Sequence, residues 1–192
     1  FDQIWPWPEG PPDSLKLACI GRLDIEDKGQ DVICHVLAQG KWRARDISVS
    51  LVGSGPHQEL LAKMIAHLAL DKVHLVGQVA DIAGLWASHH GLILPSRAEG
   101  LPAVIVEAML SGRPVLVSDI AGNAELVRDG ETGFVAPTPR DADVDEALER
   151  LWAVRSELRR MGEQAASDIR TMVPPDPAGA FAQILLGEAN HL

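Results

Sequence analysis

The sequence predicts an α/β protein: a Rossmann-like parallel sheet with helices on both faces. Three observations carry that reading. Short apolar runs alternate with segments whose apolar residues recur every three or four positions. The alternation persists along the chain, which is the pattern of repeated βαβ units. A length of 192 residues at 46 % hydrophobic content is enough to bury one sizeable core.

Taken in order, residues 1–14 hold four prolines and two tryptophans, so they read as an extended lead-in, with Trp5 and Trp7 as anchors against this domain or another. Leu15–Gly21 is the first strand. Lys28–Gly40 has helical spacing through Val32, Ile33, Val36 and Leu37. Ile47–Gly53 is strand-like, and His57–Leu70 is helical through Leu60, Leu61, Met64, Ile65 and Leu68. Val73–Val76 is a short strand. Asp81–His89 is a short helix that Asp81 can cap. Leu92–Pro95 is a strand, and Pro102–Leu110 a helix with proline in its first turn. Pro114–Ser118 is a strand, Asn123–Arg128 a short helix, and Gly133–Val135 a last strand. Asp141 to about Ile169 is helical, with Leu148, Leu151, Trp152, Leu158 and Met161 as the apolar stripe. Prolines break it after Val173, and Ala178–Leu186 forms a final helix. The expected organisation is a lead-in (1–14), one Rossmann-like domain (15–172) and a C-terminal segment (173–192).

Composition removes several classes. A formal net charge of −10 speaks against general nucleic-acid binding. A charged fraction of 23 % is ordinary for a globular chain. Cys19 and Cys34 make no disulfide framework and no zinc spacing, so they read as two buried thiols in a reducing compartment. His89-His90 is assigned no metal. The acidic helix start at Asp141, Asp143, Asp145, Glu146 and Glu149 suits a helix dipole and reads as solvated. No signal peptide is visible, and no apolar run approaches the ~18 residues that span a bilayer. The first residue is Phe1, which suggests an excised or processed piece, with the cytosol as the expected location.

In parallel sheets, ligands bind beyond the carboxyl ends of the strands, so the loops there hold the candidate chemistry. In the first loop Arg22 and Lys28 lie six residues apart around a helix start. They form either a diphosphate clamp, helped by free N–H groups, or a solvated pair answered by Glu26 and Asp27. Gly53-Ser54-Gly55-Pro56-His57-Gln58 begins like a dinucleotide fingerprint but has Gln58 at the third glycine position; it reads as a tight turn. The segment Pro95–Ala108 follows a strand and enters a helix, with Glu99 in the loop and Glu107 eight positions later. Gly100 permits close backbone approach, and the N–H groups of Leu101, Ala103 and Val104 can face a ligand; Pro102 has none. The two carboxylates could hold two polyols flanking a diphosphate. The bland alternatives are a dipole partner for Glu99 and a salt bridge for Glu107. Glu107 lies among Val104, Ile105, Val106, Ala108, Met109 and Leu110, where a carboxylate needs a partner.

Gly21-Arg22-Leu23 with Lys28-Gly29, Val52-Gly53-Ser54-Gly55-Pro56 and Val76-Gly77-Gln78-Val79 carry a further signal. So do Leu94-Pro95-Ser96, Glu99-Gly100-Leu101-Pro102, Glu107-Ala108-Met109, Gly112-Arg113-Pro114-Val115, Glu125-Leu126-Val127 and Asp129-Gly130-Glu131-Thr132-Gly133. In order and spacing, from about Leu15 to Val135 and more weakly to Leu186, the sequence resembles the family 4 (group 1) glycosyltransferases of the GT-B architecture. The resemblance implies the donor-binding C-terminal half of a retaining, metal-independent, hexosyltransferase-type enzyme, with no cofactor and a UDP- or GDP-sugar as the expected donor. It gives Arg22 and Lys28 the diphosphate, Glu99 the sugar hydroxyls and Glu107 the ribose. Backbone around Val79 would meet the base, and backbone at Gly100, Leu101, Pro102 and Ala103 the phosphate or sugar. It also implies an N-terminal acceptor-binding half as partner, reached by the segment after Val173. That half would carry any peripheral membrane contact, and this chain alone would turn over poorly. Ala121-Gly122 departs from the Gly-Gly pair of many members, which leaves donor specificity open. The rivals are a GT-B epimerase or hydrolase, a non-catalytic sugar-nucleotide-binding module and a nicotinamide dehydrogenase.

Overall fold

A computed structural model describes residues 4–9, 14–100 and 103–173. The strands are β1 (Leu15–Ile20), β2 (Ile47–Val52), β3 (Val73–Gly77), β4 (Gly91–Leu94), β5 (Val115–Ser118) and β6 (Gly133–Ala136). They form one six-stranded sheet in the order β3-β2-β1-β4-β5-β6, and every pairing is parallel. All four residues of β4 and all four of β5 are buried, as expected of strands covered on both faces. At the edge, β3 buries Val73 and leaves Val76 47 % exposed, so one face of it meets solvent.

The helices are α1 (Ile25–Lys28), α2 (Gln30–Leu37), α3 (Gly40–Arg43), α4 (Gln58–His67), α5 (Ile82–Ser88), α6 (Ala103–Leu110), α7 (Asp141–Ala153) and α8 (Leu158–Met172). Asp81 caps α5 as expected, accepting from the Gly84 N–H at 2.9 Å. The order of the strands reverses direction between β1 and β4, and a crevice opens beyond their carboxyl ends at such a switch.

Three expectations need correction. The helix predicted over Lys28–Gly40 is interrupted: α1 stops at Lys28, Gly29 turns with φ 65°, and α2 starts at Gln30. The cause is close packing, because a Cβ on Gly29 would sit 2.1 Å from the carbonyl oxygen of Pro95. The long C-terminal helix is likewise divided, by a 3₁₀ turn at Arg155–Glu157. There the Val154 and Glu157 N–H groups bond carbonyls three residues back. Third, the acidic face of α7 is not merely solvated. Lys41 reaches Asp145 at 2.6 Å and Glu149 at 3.0 Å, Arg45 reaches Glu149 at 2.7 Å, and the Trp42 indole N–H donates to Asp145 at 2.6 Å.

Of the lead-in, Trp5, Pro6 and Trp7 pack on this domain. Arg113 is fully buried and donates to the carbonyls of Trp5, Pro6, Trp86, His89, Ser111 and Gly112. Burial pulls its pKa down to about 10. Trp7 meets His90 edge-on at 5.4 Å. The two histidines are committed structurally: His89 bonds Leu85 O and Ser50 Oγ, and His90 Nδ1 accepts from the Lys16 N–H. Both cysteines are buried and free. The predicted Ala178–Leu186 helix lies outside the described residues, and so do Leu101 and Pro102.

Candidate functional site

The loops after β1 and β2 are tied by main-chain bonds, Gly21 N–H to Val52 O at 3.0 Å and Leu23 N–H to Ser54 O at 3.0 Å. Gly53 N–H donates in turn to Gly77 O at 2.8 Å. The Gly53–Gln58 segment is therefore a turn that braces its neighbours. Its His57 ring accepts from the Ile25 N–H at 3.2 Å and lies 3.3 Å from Asp24. Above these loops is an open cavity of about 760 Å³, lined by Arg22, Ser54, Gln78, Val79 and Ile82 among others. It is large enough for a nucleotide. Arg22 and Val79, both expected, share it.

Arg22 extends into solvent, its side chain 64 % exposed and 3.8 Å from Asp24. Lys28 runs back along Gly21, with its Cε 3.7 Å from where a Gly21 Cβ would be. Gly21 lines the cavity, so Lys28 lies at the cavity's margin. Its Nζ reaches Glu99 Oε2 at 2.7 Å. Glu99 thus has a more specific partner than a helix dipole: its side chain is only 5 % exposed and answers Lys28 across the two loops. Neither Glu26 nor Asp27 forms the pair with Lys28 that the bland reading supposed.

Gly100 is exposed, and no atom of the described residues beyond its chain neighbours lies within 4 Å of a Cβ built on it. Ala103 starts α6 and is exposed. Glu107 is half-buried on α6 and, like Lys28 and Glu99, is not among the residues that line the cavity. Its Oε1 is buried without a hydrogen-bond partner among the described residues. Burial raises its pKa, and the indole of Trp86 partly offsets that rise. Trp86 lies one helical turn beyond Ile82, which does line the cavity.

Sequence reasoning missed the residues that hold these groups. Ser96, fully buried, donates to Glu99 Oε1 at 2.6 Å, and Ser118 donates to Ser96 O at 2.5 Å. Gln30, also buried, donates to Arg22 O at 2.8 Å and steadies the first loop. Gln78 donates to Ser54 Oγ at 3.1 Å at the cavity wall. Ser54, Gln78 and Ser96 stand inside the motifs Val52-Gly53-Ser54-Gly55-Pro56, Val76-Gly77-Gln78-Val79 and Leu94-Pro95-Ser96, which give them no role of their own. Ala121 adopts φ 49° and Gly122 φ 82°. The backbone there keeps a glycine-like conformation although alanine fills the first place. Among the described residues no group of three or more His, Cys, Asp and Glu side chains converges as metal ligands would, and no helix is long and apolar enough to cross a membrane.

A parallel sheet in this order, with a nucleotide-sized cavity beyond the ends of β1, β2 and β3 and a Lys–Glu pair beside it, is that of a Rossmann-like domain of the kind that makes up half of a GT-B fold. A family model described as glycosyl transferases group 1 matches residues 14–153. The chain belongs to that family.

A kanosaminyltransferase of Streptomyces kanamyceticus is 34 % identical over 172 residues, covering 88 % of this chain and 42 % of its own length. A D-inositol 3-phosphate glycosyltransferase of Nocardia farcinica is 42 % identical over 167 residues, covering 81 % of this chain and 37 % of its own. Among solved structures, Anabaena HepE in complex with UDP superposes with a TM-score of 0.78 at 25 % identity, covering 93 % of this chain and 49 % of that one. The chain therefore spans less than half the length of each of these three.

Proposed function

We propose that this chain binds a nucleoside diphosphate-sugar and forms the donor half of a retaining, metal-independent glycosyltransferase that moves a hexose-type sugar. The observation that carries the reading is the 2.7 Å Lys28–Glu99 pair at the margin of a cavity shared by Arg22 and Val79. In this reading the cation would face the diphosphate and the carboxylate the sugar attached to it. Val79 would meet the base. Lys28, with Arg22, would neutralise the charge that develops on the leaving diphosphate, which is electrostatic stabilisation without a metal. Glu99, held by Ser96, would accept from sugar hydroxyls, and Gly100 and Ala103 would offer close main-chain approach.

Retention of configuration and the missing metal requirement are implied by the family resemblance. A UDP donor is favoured by HepE, whose structure holds UDP. The acceptor half is proposed to come from a second domain, in keeping with relatives more than twice as long as the matched region. This chain alone would then bind donor but turn it over poorly.

Two variants test the division of roles. Glu99→Ala should spare affinity for UDP and weaken UDP-glucose by roughly tenfold or more, the worth of one charge-assisted hydrogen bond. Glu107→Ala should weaken both ligands alike. Equal losses for both ligands in both variants would contradict the assignment.

A further inference from the structure

Glu99 belongs to an exposed loop yet has a buried side chain. Arg97, Ala98 and Gly100 around it are exposed, while the Glu99 side chain is only 5 % exposed. A flexible side chain in such a loop keeps one rotamer where rigid groups hold it against the entropy it gives up. Its two oxygens are held from two sides. Lys28 donates to Oε2 at 2.7 Å, and Ser96 donates to Oε1 at 2.6 Å.

The bond from Ser96 is itself backed by β5. The last paired residues of β4 and β5 are Leu94 and Val117. One position further along β5, the Ser118 hydroxyl donates to the Ser96 carbonyl at 2.5 Å and extends the join between the strands past that pair. Behind it, the Asn123 side-chain amide donates to the Ser118 carbonyl at 3.3 Å. Ser96, Ser118 and Asn123 are all fully buried. Asn123 closes the turn that carries Ala121 and Gly122, its N–H donating to Ile120 O at 3.0 Å. A buried polar chain therefore runs from that turn, through the ends of β5 and β4, to the Glu99 carboxylate. The other residues of β5 are Val115, Leu116 and Val117. A hydroxyl at the end of so apolar a strand costs free energy unless it is bonded, and this one bonds a residue 22 positions away.

We propose that Ser118 is a positioning residue for Glu99, acting through Ser96. It fixes the peptide from which the Ser96 hydroxyl reaches the carboxylate, and with Asn123 it ties the Ala121–Gly122 turn to the same group. The inference rests on the donor-site reading, in which Glu99 accepts from sugar hydroxyls, and adds to it a residue that never touches the ligand. Buried hydrogen bonds in series strengthen one another, and a binding group works best when the groups behind it lock its rotamer. Sugar binding then depends on β5, while the grip of Arg22 on the diphosphate does not.

The test uses the whole 192-residue chain, with UDP and UDP-glucose and with GDP and GDP-glucose in parallel. Ser118→Ala should weaken the sugar-bearing nucleotide about fivefold, the worth of one neutral hydrogen bond, and leave the free diphosphate unchanged. Ser118→Cys, with nearly the same volume and a much weaker donor, should behave alike. In a Glu99→Ala chain, Ser118→Ala should cost nothing further, because the group it positions is gone. By NMR, the Asn123 side-chain amide should shift when UDP-glucose replaces UDP on the wild-type chain, and should not shift on Glu99→Ala.

Equal losses for free and sugar-bearing nucleotide in Ser118→Ala, or wild-type affinity for both, overturn the inference and leave the donor-site reading standing. A Glu99→Ala chain that binds UDP-glucose and GDP-glucose as wild type does removes the sugar assignment and the inference with it. Where neither Ser118 variant folds, the wild-type and Glu99→Ala spectra decide: an Asn123 amide that moves equally in both, or in neither, overturns the proposal.

Discussion

Gly29→Ala probes how the two sides of the site are held in register. Gly29 separates α1 from α2 with φ 65°, and a Cβ there would lie 2.1 Å from Pro95 O and 3.0 Å from Pro95 C. Two costs add. The left-handed backbone disfavours an L residue by about 1–2 kcal/mol. The obstacle is main chain, so the loop after β4 must retreat by more than ~1 Å, and such overpacking costs about 1–3 kcal/mol. The expected loss is therefore about 2–5 kcal/mol, a large part of the ~5–15 kcal/mol that stabilises a typical domain.

Two controls isolate the contributions. Gly77 has φ 79° but nothing within 4 Å, so Gly77→Ala should show the backbone cost alone. Gly100 has no described residue beyond its chain neighbours within 4 Å of a built Cβ and no positive φ, so Gly100→Ala should stay within about 0.5 kcal/mol. Urea unfolding followed by far-UV circular dichroism reads the series. The same Gly29 variant should weaken UDP-glucose binding, since the Pro95 loop carries Glu99 and the displaced turn carries Lys28. A Gly29→Ala loss no larger than that of Gly77→Ala would refute the close-approach account.

Two further outcomes concern titration. Burial pushes both Cys19 and Cys34 up to about 12, with Cys34 adding to the rise at Cys19. Neither thiol should react with a disulfide reagent at pH 8 in the native chain, and both should react in urea; rapid native labelling would contradict the packing. Because unfolded thiols ionise from about 8.5 while the folded ones wait until about 12, their contribution to stability is lost as pH rises through that window.

His90 runs the other way along the pH scale. Burial lowers it to about 4, so the folded ring stays neutral where an unfolded one charges below about 6.5. Its contribution is present above pH 6.5 and lost as pH falls toward 4. An NMR titration should find the His90 ring neutral at pH 5; a midpoint near 6.5 would contradict its buried contact with Lys16.

Local pattern was enough for the strands, because a short apolar run such as Leu92–Pro95 or Pro114–Ser118 is hidden from water when it lies in a sheet covered on both faces. Capping by Asp81 was legible for the same reason: cap and helix are neighbours in sequence. What could not be read was set by distant contacts. The break at Gly29 depends on the Pro95 carbonyl, and the Lys28–Glu99 pair joins residues 71 positions apart. The pairing of Asp145 and Glu149 with α3 spans about a hundred positions. The motif order identified Arg22, Lys28, Glu99 and Glu107 as a set. It did not tell that Ser96 braces the Glu99 carboxylate. Nor did it tell that Glu107 stands off the cavity that Arg22 and Val79 share.

The most direct measurement of the central claim is a calorimetric titration of wild-type and Arg22→Ala chains with UDP, GDP, ADP, their glucose conjugates and uridine. One nucleoside diphosphate should bind wild type well above uridine, with Arg22→Ala weakening it about tenfold and leaving uridine unchanged. If none of the diphosphates binds, or if Arg22→Ala binds them as wild type does, the cavity beyond β1 and β2 is not a donor site.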